Sequence, residues 1–547
     1  MRVALALLAI LSATVDARKC DVCWLTSLQC TPPTGTPSAG KPIATTNCNF
    51  GYSDGSFSKD DTDNGLEPLS YQVAMYTGCG KGATDPAYCN ATSSAMKAKM
   101  VFGSDGSSLS YAATIPYIDH SKGVRLFSLA AVGSDIQMVE LSFPRPDSKT
   151  NKLSSWKGKD VTDSNKVLIP STEPLAAIQA GSLSTWCTFL GASGNWLIES
   201  RVEINIQATV LYRYAVGQIP KITATYAMPD KKTLYVANDK YLFMFVSDHA
   251  KDLTSGHLYV AKMGSKDVKW LDMGKTNATA VKDEMKKGLK FDDYKSSGKI
   301  KAGMEGVASR LFPEDYASML GATEMSGITG LTYNMDDKGA TGKEAALGAF
   351  FVSFAGSMKS SAFGGTDQTC GTIYKFDVGS LTTCDLSGAK CTSDEKKKAK
   401  AVCSLGLKTF EPDFVAGGSC KKIQDPIYIN FASYHNMLFV ADSKSKVWAV
   451  DFSGNGISQE PVLIFEAVGN IAGITWLSNL VGDGRSYLSI NVGDAKTGNS
   501  YIGYLGPFTL KGYMSGSYDV LHNIGCPIRG KDDYLYEATK YVDPVVQ

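Results

Sequence analysis

The stretch TLYVA-NDK-YLFMFV, residues 233–246, decides the fold because it joins two short apolar runs through a polar turn. Runs rich in β-branched and aromatic residues on either side of such a turn are typical of a β-hairpin. Similar pairs of runs recur along the chain, at 125–132 with 136–141, 349–354 with 371–376, 437–441 with 446–450, and 486–492 with 501–505.

The recurrence of hairpins predicts an all-β protein. A lone hairpin cannot bury its apolar face, so several must pack side by side. A β-propeller does this with four-stranded blades around an axis, whereas a sandwich usually needs fewer strands than this chain supplies. We therefore expect a propeller over residues 101–530. Small helical or loop insertions on its rim are expected at 275–313, rich in Lys and Asp, and at 380–408, rich in Cys and Lys.

The N-terminal sequence predicts export. Arg2, the apolar run at 3–11 and the small-residue site at 15–17 form the pattern of a secretory signal peptide over residues 1–17. No later segment reaches the roughly 20 uninterrupted apolar residues of a membrane helix. The tail at 531–547 lacks the hydrophobic end of a lipid-anchor signal. We expect a secreted, extracellular protein with no membrane span.

Cysteine usage is consistent with an oxidising compartment. The chain has 13 cysteines, and clusters of this kind in a secreted protein favour disulfides. The predicted disulfide cysteines are Cys20, Cys23, Cys30, Cys48, Cys79, Cys89, Cys370, Cys384, Cys391, Cys403 and Cys420. A zinc or redox role for the Cys20–Cys23 pair stays open, although no second ligand pair follows at zinc spacing. The odd count leaves at least one thiol free or paired between chains, and Cys187, flanked by Trp186 and Phe189, is the best candidate.

Residues 18–100 form a Cys-rich segment with little periodicity, which we expect to be a cap or accessory module. Its DDTDNG run at 60–65 resembles a calcium loop, but Tyr71 stands at the twelfth position, where that loop needs glutamate. A polar turn is the favoured interpretation of this run. Asn90 and Asn277 begin Asn-x-Thr sequences and are predicted glycosylation sites.

Charge argues against two partner classes. The 55 basic and 54 acidic residues leave a net charge of +1. No large field of one sign attracts nucleic acid or a membrane surface, so neither is expected as a partner. The five histidines show no metal-pair spacing, and no nucleophile elbow or phosphate-binding glycine loop appears.

Over residues 166–497 the order of segments resembles the PhoX-type alkaline phosphatase family. The segment at 180–190 is similar to the family's Gly-Gly-x-Thr-x-Trp-Gly-Thr-Trp-Leu segment. Residues 234–248 are similar to its Tyr-x-Gly-Asp-Asp and Tyr-Leu-Tyr-Lys-Phe-Val-Ser pair, and residues 256–262 to its Gly-Thr-Leu-Tyr-Val-Ala strand. Matches at 414–418 and 473–476 follow in order. The resemblance implies a six-bladed propeller that hydrolyses phosphate monoesters with calcium and iron held by carboxylates.

The chain departs from the family where those carboxylates are expected. Residues 192–194 replace Cys-Glu-Glu, and the acidic turn at 237–240 keeps only Asp239. The segments at 327–329 and 425–427 lose their Arg-Pro-Glu and Ser-Pro-Asp patterns, and Asn470 stands in place of a glutamate. Asp239, Glu324 and Asp425 are the candidate metal ligands that remain, with Glu199 and Glu203 as further nearby acids.

Two functions follow as hypotheses. One is a PhoX-type phosphomonoesterase acting on a small phosphorylated molecule, with calcium and iron if the family site is retained. The other is a non-catalytic propeller that binds an unknown extracellular partner through its loops and needs no cofactor. A calcium-dependent esterase or lactonase propeller is a more distant third.

Overall fold

The computed structural model describes residues 178–186, 188–202, 208–334, 348–356, 369–381, 404–415, 422–432, 437–451, 461–466, 470–477, 485–494 and 499–509, together with eight strands at 25–29, 42–52, 70–77, 114–119, 123–132, 135–143, 163–167 and 526–527. The predicted signal peptide, the C-terminal tail, Cys187 and Asn90 lie outside these residues.

The first strands of the chain fall into two groups. The N-terminal group is β1 (Leu25–Gln29), β2 (Pro42–Tyr52) and β3 (Ser70–Thr77). Sheet 1 contains β4 (Thr114–Asp119), β5 (Gly123–Val132), β6 (Asp135–Phe143) and β7 (Asp163–Val167).

Sheets 2 and 3 follow directly in the chain. Sheet 2 contains β8 (Ile178–Leu183), β9 (Phe189–Ser193), β10 (Trp196–Val202) and β11 (Ala208–Tyr212). Sheet 3 contains β12 (Ala224–Ala227), β13 (Thr233–Ala237), β14 (Leu242–Ser247), β15 (Ser255–Met263) and β16 (Val268–Asn277).

A helical insertion separates sheet 3 from sheet 4. It contains α1 (Ala278–Met285), a 3-10 turn (Phe291–Tyr294), the short pair β17 (Lys295–Ser296) and β18 (Lys299–Ile300), α2 (Glu305–Leu311) and α3 (Pro313–Leu320). The helices run to Leu320 and not to Pro313 as expected, because Pro313 occupies the first turn of α3, where its missing N–H has no cost. None of the described helices has the length and apolar character to cross a membrane.

Three further sheets complete the described strands. Sheet 4 contains β19 (Ile328–Asn334), β20 (Ala349–Phe354), β21 (Thr372–Leu381) and β22 (Ser404–Val415). Sheet 5 contains β23 (Pro426–Ala432), β24 (Met437–Asp442), β25 (Lys446–Asp451) and β26 (Val462–Glu466). Sheet 6 contains β27 (Asn470–Leu477), β28 (Arg485–Asp494) and β29 (Asn499–Thr509), and β30 (Cys526–Pro527) joins sheet 1 beside β4.

Sheets 2 to 5 stack face to face in a propeller-like arrangement. Each is an antiparallel meander, so consecutive strands are neighbours. Alternate residues of sheet 3 face opposite ways, as the pleat requires: Val236 and Phe243 pack toward sheet 2, while Tyr235 and Met244 pack toward sheet 4. Phe351 of sheet 4 then packs on sheet 5. The all-β prediction is therefore confirmed, and each hairpin predicted from paired runs is present.

The helical insertion packs on the face of sheet 3 that also meets sheet 2, and it shares one apolar core with both sheets. Gly306 of α2 allows a close approach to β16, since a Cβ there would lie 2.0 Å from the Lys275 carbonyl oxygen. Arg310 is fully buried and donates to the carbonyl oxygens of Ala215, Gly256 and Gly274 at 2.5, 3.0 and 3.1 Å. Burial lowers the pKa of Arg310 to about 9, which leaves the guanidinium charged at neutral pH.

The backbone of the N-terminal strands continues sheet 6. β3 pairs antiparallel with β29, with Thr77 opposite Tyr501, and β2 and β1 follow outward. The ends of the second insertion, expected at 380–408, are strand instead, because β21 extends to Leu381 and β22 begins at Ser404. Residues 382–403 lie outside the described residues.

Candidate functional site at one end of the sheets

The three candidate metal ligands lie at one end of the sheets, here called the upper end. It is the end at which β12, β19 and β23 begin and at which the turns after β13, β20 and β24 lie. Asp239 is in the turn after β13, Glu324 precedes β19, and Asp425 precedes β23.

Backbone hydrogen bonds connect these turns from sheet 3 to sheet 5. The Gly327 N–H donates to the Asp239 carbonyl at 3.0 Å, and the Ala355 N–H donates to the Gly327 carbonyl at 2.8 Å. The Gly356 N–H then donates to Asp425 Oδ1 at 2.7 Å. Gly327 has a φ of +78°, and a Cβ there would lie 2.4 Å from the Ala355 carbonyl oxygen, so this link requires glycine.

Asp239 and Glu324 lie among lysines. Asp239 Oδ2 is 3.5 Å from the Lys221 ammonium, and both side chains are well exposed. Lys240 forms an ion pair with Glu314 of α3 at 3.2 Å. That hydrogen bond and charge, with smaller contributions from Glu324 and Asp239, raise the pKa of Lys240. Asp239 is therefore paired with a cation of the protein, whereas Glu324 only lies near Lys240, whose ion pair is with Glu314.

Asp425 is held by its own loop. Its φ of 51° is left-handed, a conformation that Asp adopts more readily than most residues. Oδ1 accepts from the Gly356 N–H, and Oδ2 is 3.5 Å from the Ser443 hydroxyl. Its own N–H donates to the Cys370 carbonyl at 2.8 Å. These contacts give Asp425 a local role in joining the β20–β21 loop to the start of β23.

The candidate ligands do not fit a centre of several multivalent cations. Such a centre needs several oxygen ligands around each ion and enough negative charge to offset it. Asp239 is paired with Lys221, and Asp425 accepts a backbone N–H. Within the part of the chain that the structure describes, no three His, Cys, Asp or Glu side chains form a group that could hold a metal ion. The ligand role of Asp239, Glu324 and Asp425 stays a prediction.

Glu199, one of the further acids, lies on β10 of sheet 2 and is fully buried. It forms an ion pair with Arg213, whose Nε lies 2.8 Å from Glu199 Oε2. Trp186 Nε1 donates to the other carboxylate oxygen at 2.7 Å. A fully buried carboxylate requires partners of this kind. Glu203 lies outside the described residues.

Two residues that sequence reasoning missed organise the upper turns. Asn238, fully buried at the end of β13, accepts the N–H groups of Lys240 and Tyr241 on Oδ1 at 3.0 and 2.7 Å. Its Nδ2 donates to Glu314 Oε1 at 2.7 Å. The turn of sheet 3 is thereby fastened to α3 of the helical insertion.

Asp442 occupies the matching place at the end of β24 and is also fully buried. Its Oδ1 accepts the N–H groups of Lys444 and Lys446 at 2.9 and 3.1 Å, and its Oδ2 accepts from Trp448 Nε1 at 2.8 Å. The signal for both residues is present in the sequence as LYVAND at 234–239 and LFVADS at 438–443. Each pattern ends a strand on an Asx residue that can cap the turn.

One predicted disulfide cysteine, Cys370, and one predicted glycosylation site, Asn277, are among the described residues. Cys370, just before β21, is disulfide-bonded; the other predicted pairings stay predictions. Asn277 is exposed at the end of β16, and its Oδ1 caps α1 by accepting the Ala280 N–H at 2.9 Å. The cap uses the oxygen and leaves the amide nitrogen, where a glycan would attach, on the surface. Glycosylation at Asn277 also stays a prediction.

Comparison with known proteins places the chain in no family. No protein-family model matches it, and no curated protein matches it. Among solved structures, a luciferin-regenerating enzyme is 10% identical, with 74% of this chain and 93% of that chain covered and a TM-score of 0.30. A gluconolactonase from Xanthomonas campestris is 10% identical, with 76% and 93% covered and a TM-score of 0.29. Sqt1 from Saccharomyces cerevisiae is 9% identical, with 75% and 100% covered and a TM-score of 0.33. Because these TM-scores are low, the description of the fold is based on the strand order and packing of this chain alone.

Proposed function

We propose that this chain is a secreted six-bladed β-propeller that works as a binding protein and does not hydrolyse phosphate monoesters. The single observation that carries the proposal is the scarcity of charge on the first strands of the sheets. These strands form the innermost part of a propeller and surround its axis.

Backbone contacts support six blades. The first strands touch in a cyclic order: β4 with β8, β8 with β12, β12 with β19, β19 with β23, β23 with β27, and β27 with β4. β3 supplies a fourth strand to sheet 6, so the N-terminal part of the chain would close the ring against the C-terminal part. Closure of this kind protects sheet edges that would otherwise be open to pairing with other chains.

Polar side chains link neighbouring first strands. The hydroxyls of Ser182 on β8 and Thr225 on β12 are 2.6 Å apart. The Phe431 N–H on β23 donates to Thr332 Oγ1 on β19 at 2.9 Å. The Trp476 N–H on β27 donates to Asn430 Oδ1 on β23 at 3.1 Å, which extends the series to sheet 6.

The same strands supply little charge for a metal centre. The sequences TIPYID, IQAGSL, ATYA, ITGLTYN, PIYINFA and NIAGITWL contain one ionisable acid, Asp119, and no lysine or arginine. Several multivalent cations in one place need several carboxylates, because hard cations take six or more oxygen ligands. These six sequences instead consist of aliphatic, aromatic, hydroxyl and amide residues with Gly and Pro, a composition that suits recognition better than phosphoryl transfer.

Secretion is part of the proposal and is supported by the N-terminal pattern at 1–17 and by the abundance of cysteine. The disulfide at Cys370 is in keeping with an oxidising compartment. The partner is an extracellular molecule, and calcium and iron have no part in its binding.

One observation favours the second candidate, a PhoX-type phosphomonoesterase: the order of similar segments across residues 166–497. This candidate would act on a small phosphorylated molecule and would need calcium and iron. Its remaining ligands would be Asp239, Glu324 and Asp425, supported by acids that the family does not use.

Hydrolysis of a generic phosphomonoester separates the two functions. The purified full-length protein is assayed as isolated, after chelation, and after addition of calcium and iron. We expect no turnover above the buffer rate in any of the three conditions. Turnover that is lost on chelation and restored by the metals would refute the proposal and establish the second candidate.

A further inference from the structure

The junction of β16 and α1 carries an Asn-x-Thr sequence that the proposed binding function does not use. Asn277, Ala278 and Thr279 follow one another where the strand ends and the helix begins. A folded protein can carry a glycan only on a surface asparagine, because the glycan is bulky and hydrophilic. Asn277 and Thr279 are both exposed, so this sequence meets that requirement.

The side-chain amide of Asn277 has one atom engaged and one atom available. Its Oδ1 accepts the Ala280 N–H at 2.9 Å and caps α1. Because a backbone N–H can only donate, the atom that faces it must be the amide oxygen and not the nitrogen. Within the described part of the chain, no acceptor takes a hydrogen bond from Nδ2 of Asn277, in contrast to Nδ2 of Asn238, which donates to Glu314. A glycan on Nδ2 of Asn277 therefore leaves the helix cap in place.

Asn277 lies at the lower end of sheet 3, which is the end opposite the upper turns. β14 begins at the upper turn and runs away from it, so the loop between β14 and β15 is at the lower end. Asn277 is opposite Ser255, the first residue of β15, and the Ala278 N–H donates to the carbonyl of Thr254 in that loop at 2.8 Å. A glycan on Asn277 is therefore attached away from Asp239 and the upper end.

We propose that Asn277 carries an N-linked oligosaccharide and that the folded protein holds this glycan without losing the cap of α1. The donor is an oligosaccharide joined to a lipid through pyrophosphate. A bond forms between Nδ2 and the anomeric carbon of the first sugar, the bond from that carbon to pyrophosphate breaks, the lipid pyrophosphate leaves, and Nδ2 loses one proton. The inference adds a modification site to the proposed binding protein, and it rests on secretion, which is part of that proposal.

Peptide mapping of the secreted full-length protein tests the inference. The chain is expressed in cultured animal cells, and the protein from the medium is treated with peptide N-glycosidase F in heavy-oxygen water. This enzyme converts only a glycosylated asparagine into aspartate, which then carries the oxygen label. Trypsin cleaves after Lys275 and Lys282 and releases the peptide 276–282, in which Asn277 is the one asparagine. We expect most of this peptide to contain labelled aspartate.

Three variants separate the glycan from the helix cap. Thr279→Ala removes the acceptor sequence but keeps Asn277, so the label should disappear. Thr279→Ser is the matched control, because it keeps the acceptor sequence and should keep the label. Thr279 is exposed and alanine favours helix, so Thr279→Ala should not lower Tm through the helix itself. Asn277→Ala removes the cap together with the glycan and should therefore have a lower Tm than Thr279→Ala.

Secreted protein whose 276–282 peptide carries no label would overturn the inference. A glycosylated protein that unfolds at a Tm as low as that of Asn277→Ala would show that the glycan displaces the cap, which also contradicts it. Retention of the chain inside the cell would refute secretion, and the same chain behind another secretory leader would still report whether Asn277 is modified. Metal-dependent hydrolysis would refute the binding function without changing the peptide map, so these failures are distinguishable.

Discussion

Two hairpins at the upper end have turns that are closed by an Asx side chain, but the residue differs between them. The β24–β25 hairpin is closed by a carboxylate, Asp442, whose partners are all within its own sheet or the loop just before it. The β13–β14 hairpin is closed by an amide, Asn238, which keeps the turn bonds and adds a donor to Glu314 of the insertion. The amide nitrogen of Asn238 supplies a donor that a carboxylate lacks, and this donor links the β13–β14 turn to the neighbouring insertion.

The largest expected effect is at Asp442. Asp442→Ala would leave the buried Trp448 indole N–H without an acceptor and would remove the acceptor of the partly buried Lys444 and Lys446 amides, at a cost of about 3 kcal/mol in the free energy of unfolding. Urea unfolding followed by tryptophan fluorescence measures the change. Ser443→Ala in the same turn is the control and should cost under about 0.5 kcal/mol, since its hydroxyl is exposed. If both substitutions lowered the free energy of unfolding equally, Asp442 would not have its proposed role in closing the turn.

An intermediate effect is expected at Asn238. Asn238→Asp removes the donor to Glu314 and sets two carboxylates in contact, so we expect a loss of about 2 kcal/mol at pH 7. Two facing carboxylates raise the pKa of one of them in the folded state. The deficit should therefore be complete above that raised pKa and shrink as the pH falls through it.

Unfolding measured from pH 7 to pH 4 reports this recovery. The matched variant combines Asn238→Asp with Glu314→Gln, which restores one donor and one acceptor in exchanged positions. This variant should regain much of the lost stability at pH 7. A deficit that does not change with pH, or that the second substitution deepens, would show that the Asn238–Glu314 contact does not anchor the insertion.

The smallest effect is expected at the exposed pair of Lys221 with Asp239. Lys221→Met should change the free energy of unfolding by less than about 0.5 kcal/mol, because exposed ion pairs contribute little. The substitution also frees Asp239 to act as a ligand. Thermal unfolding with and without calcium should show no stabilisation by the metal. A calcium-dependent rise in Tm in this variant alone would mean that Lys221 occupies the place of a cation at Asp239.

Sequence predicted the features that depend on local patterns. The hairpins follow from alternating apolar runs beside turn residues, and the rim helices follow from the composition of 275–313. The sequence named Asp239, Glu324 and Asp425 as candidate ligands, and their ligand role stays a prediction. It could not indicate that Lys221 pairs with Asp239, because that ion pair depends on how the β11–β12 loop returns to the upper end.

The features that the sequence did not reveal depend on distant parts of the chain. Asn238 and Glu314 are 76 residues apart, and Arg310 meets the carbonyl of Ala215 over 95 residues. The spacing of apolar residues along the chain predicts local structure and does not predict contacts between residues so far apart in sequence. The buried state of Glu199 was missed for a related reason, because burial of an acid requires a partner such as Arg213, which directly follows β11.

Metal stoichiometry of the purified full-length protein tests the central claim most directly. The protein is equilibrated with calcium and ferric iron, passed through a desalting column, and analysed by elemental mass spectrometry. A propeller with so few carboxylates around its axis should emerge with less than one equivalent of either metal, and its Tm should not respond to chelator. Retention of iron together with calcium in stoichiometric amounts, with loss of stability on chelation, would contradict the account.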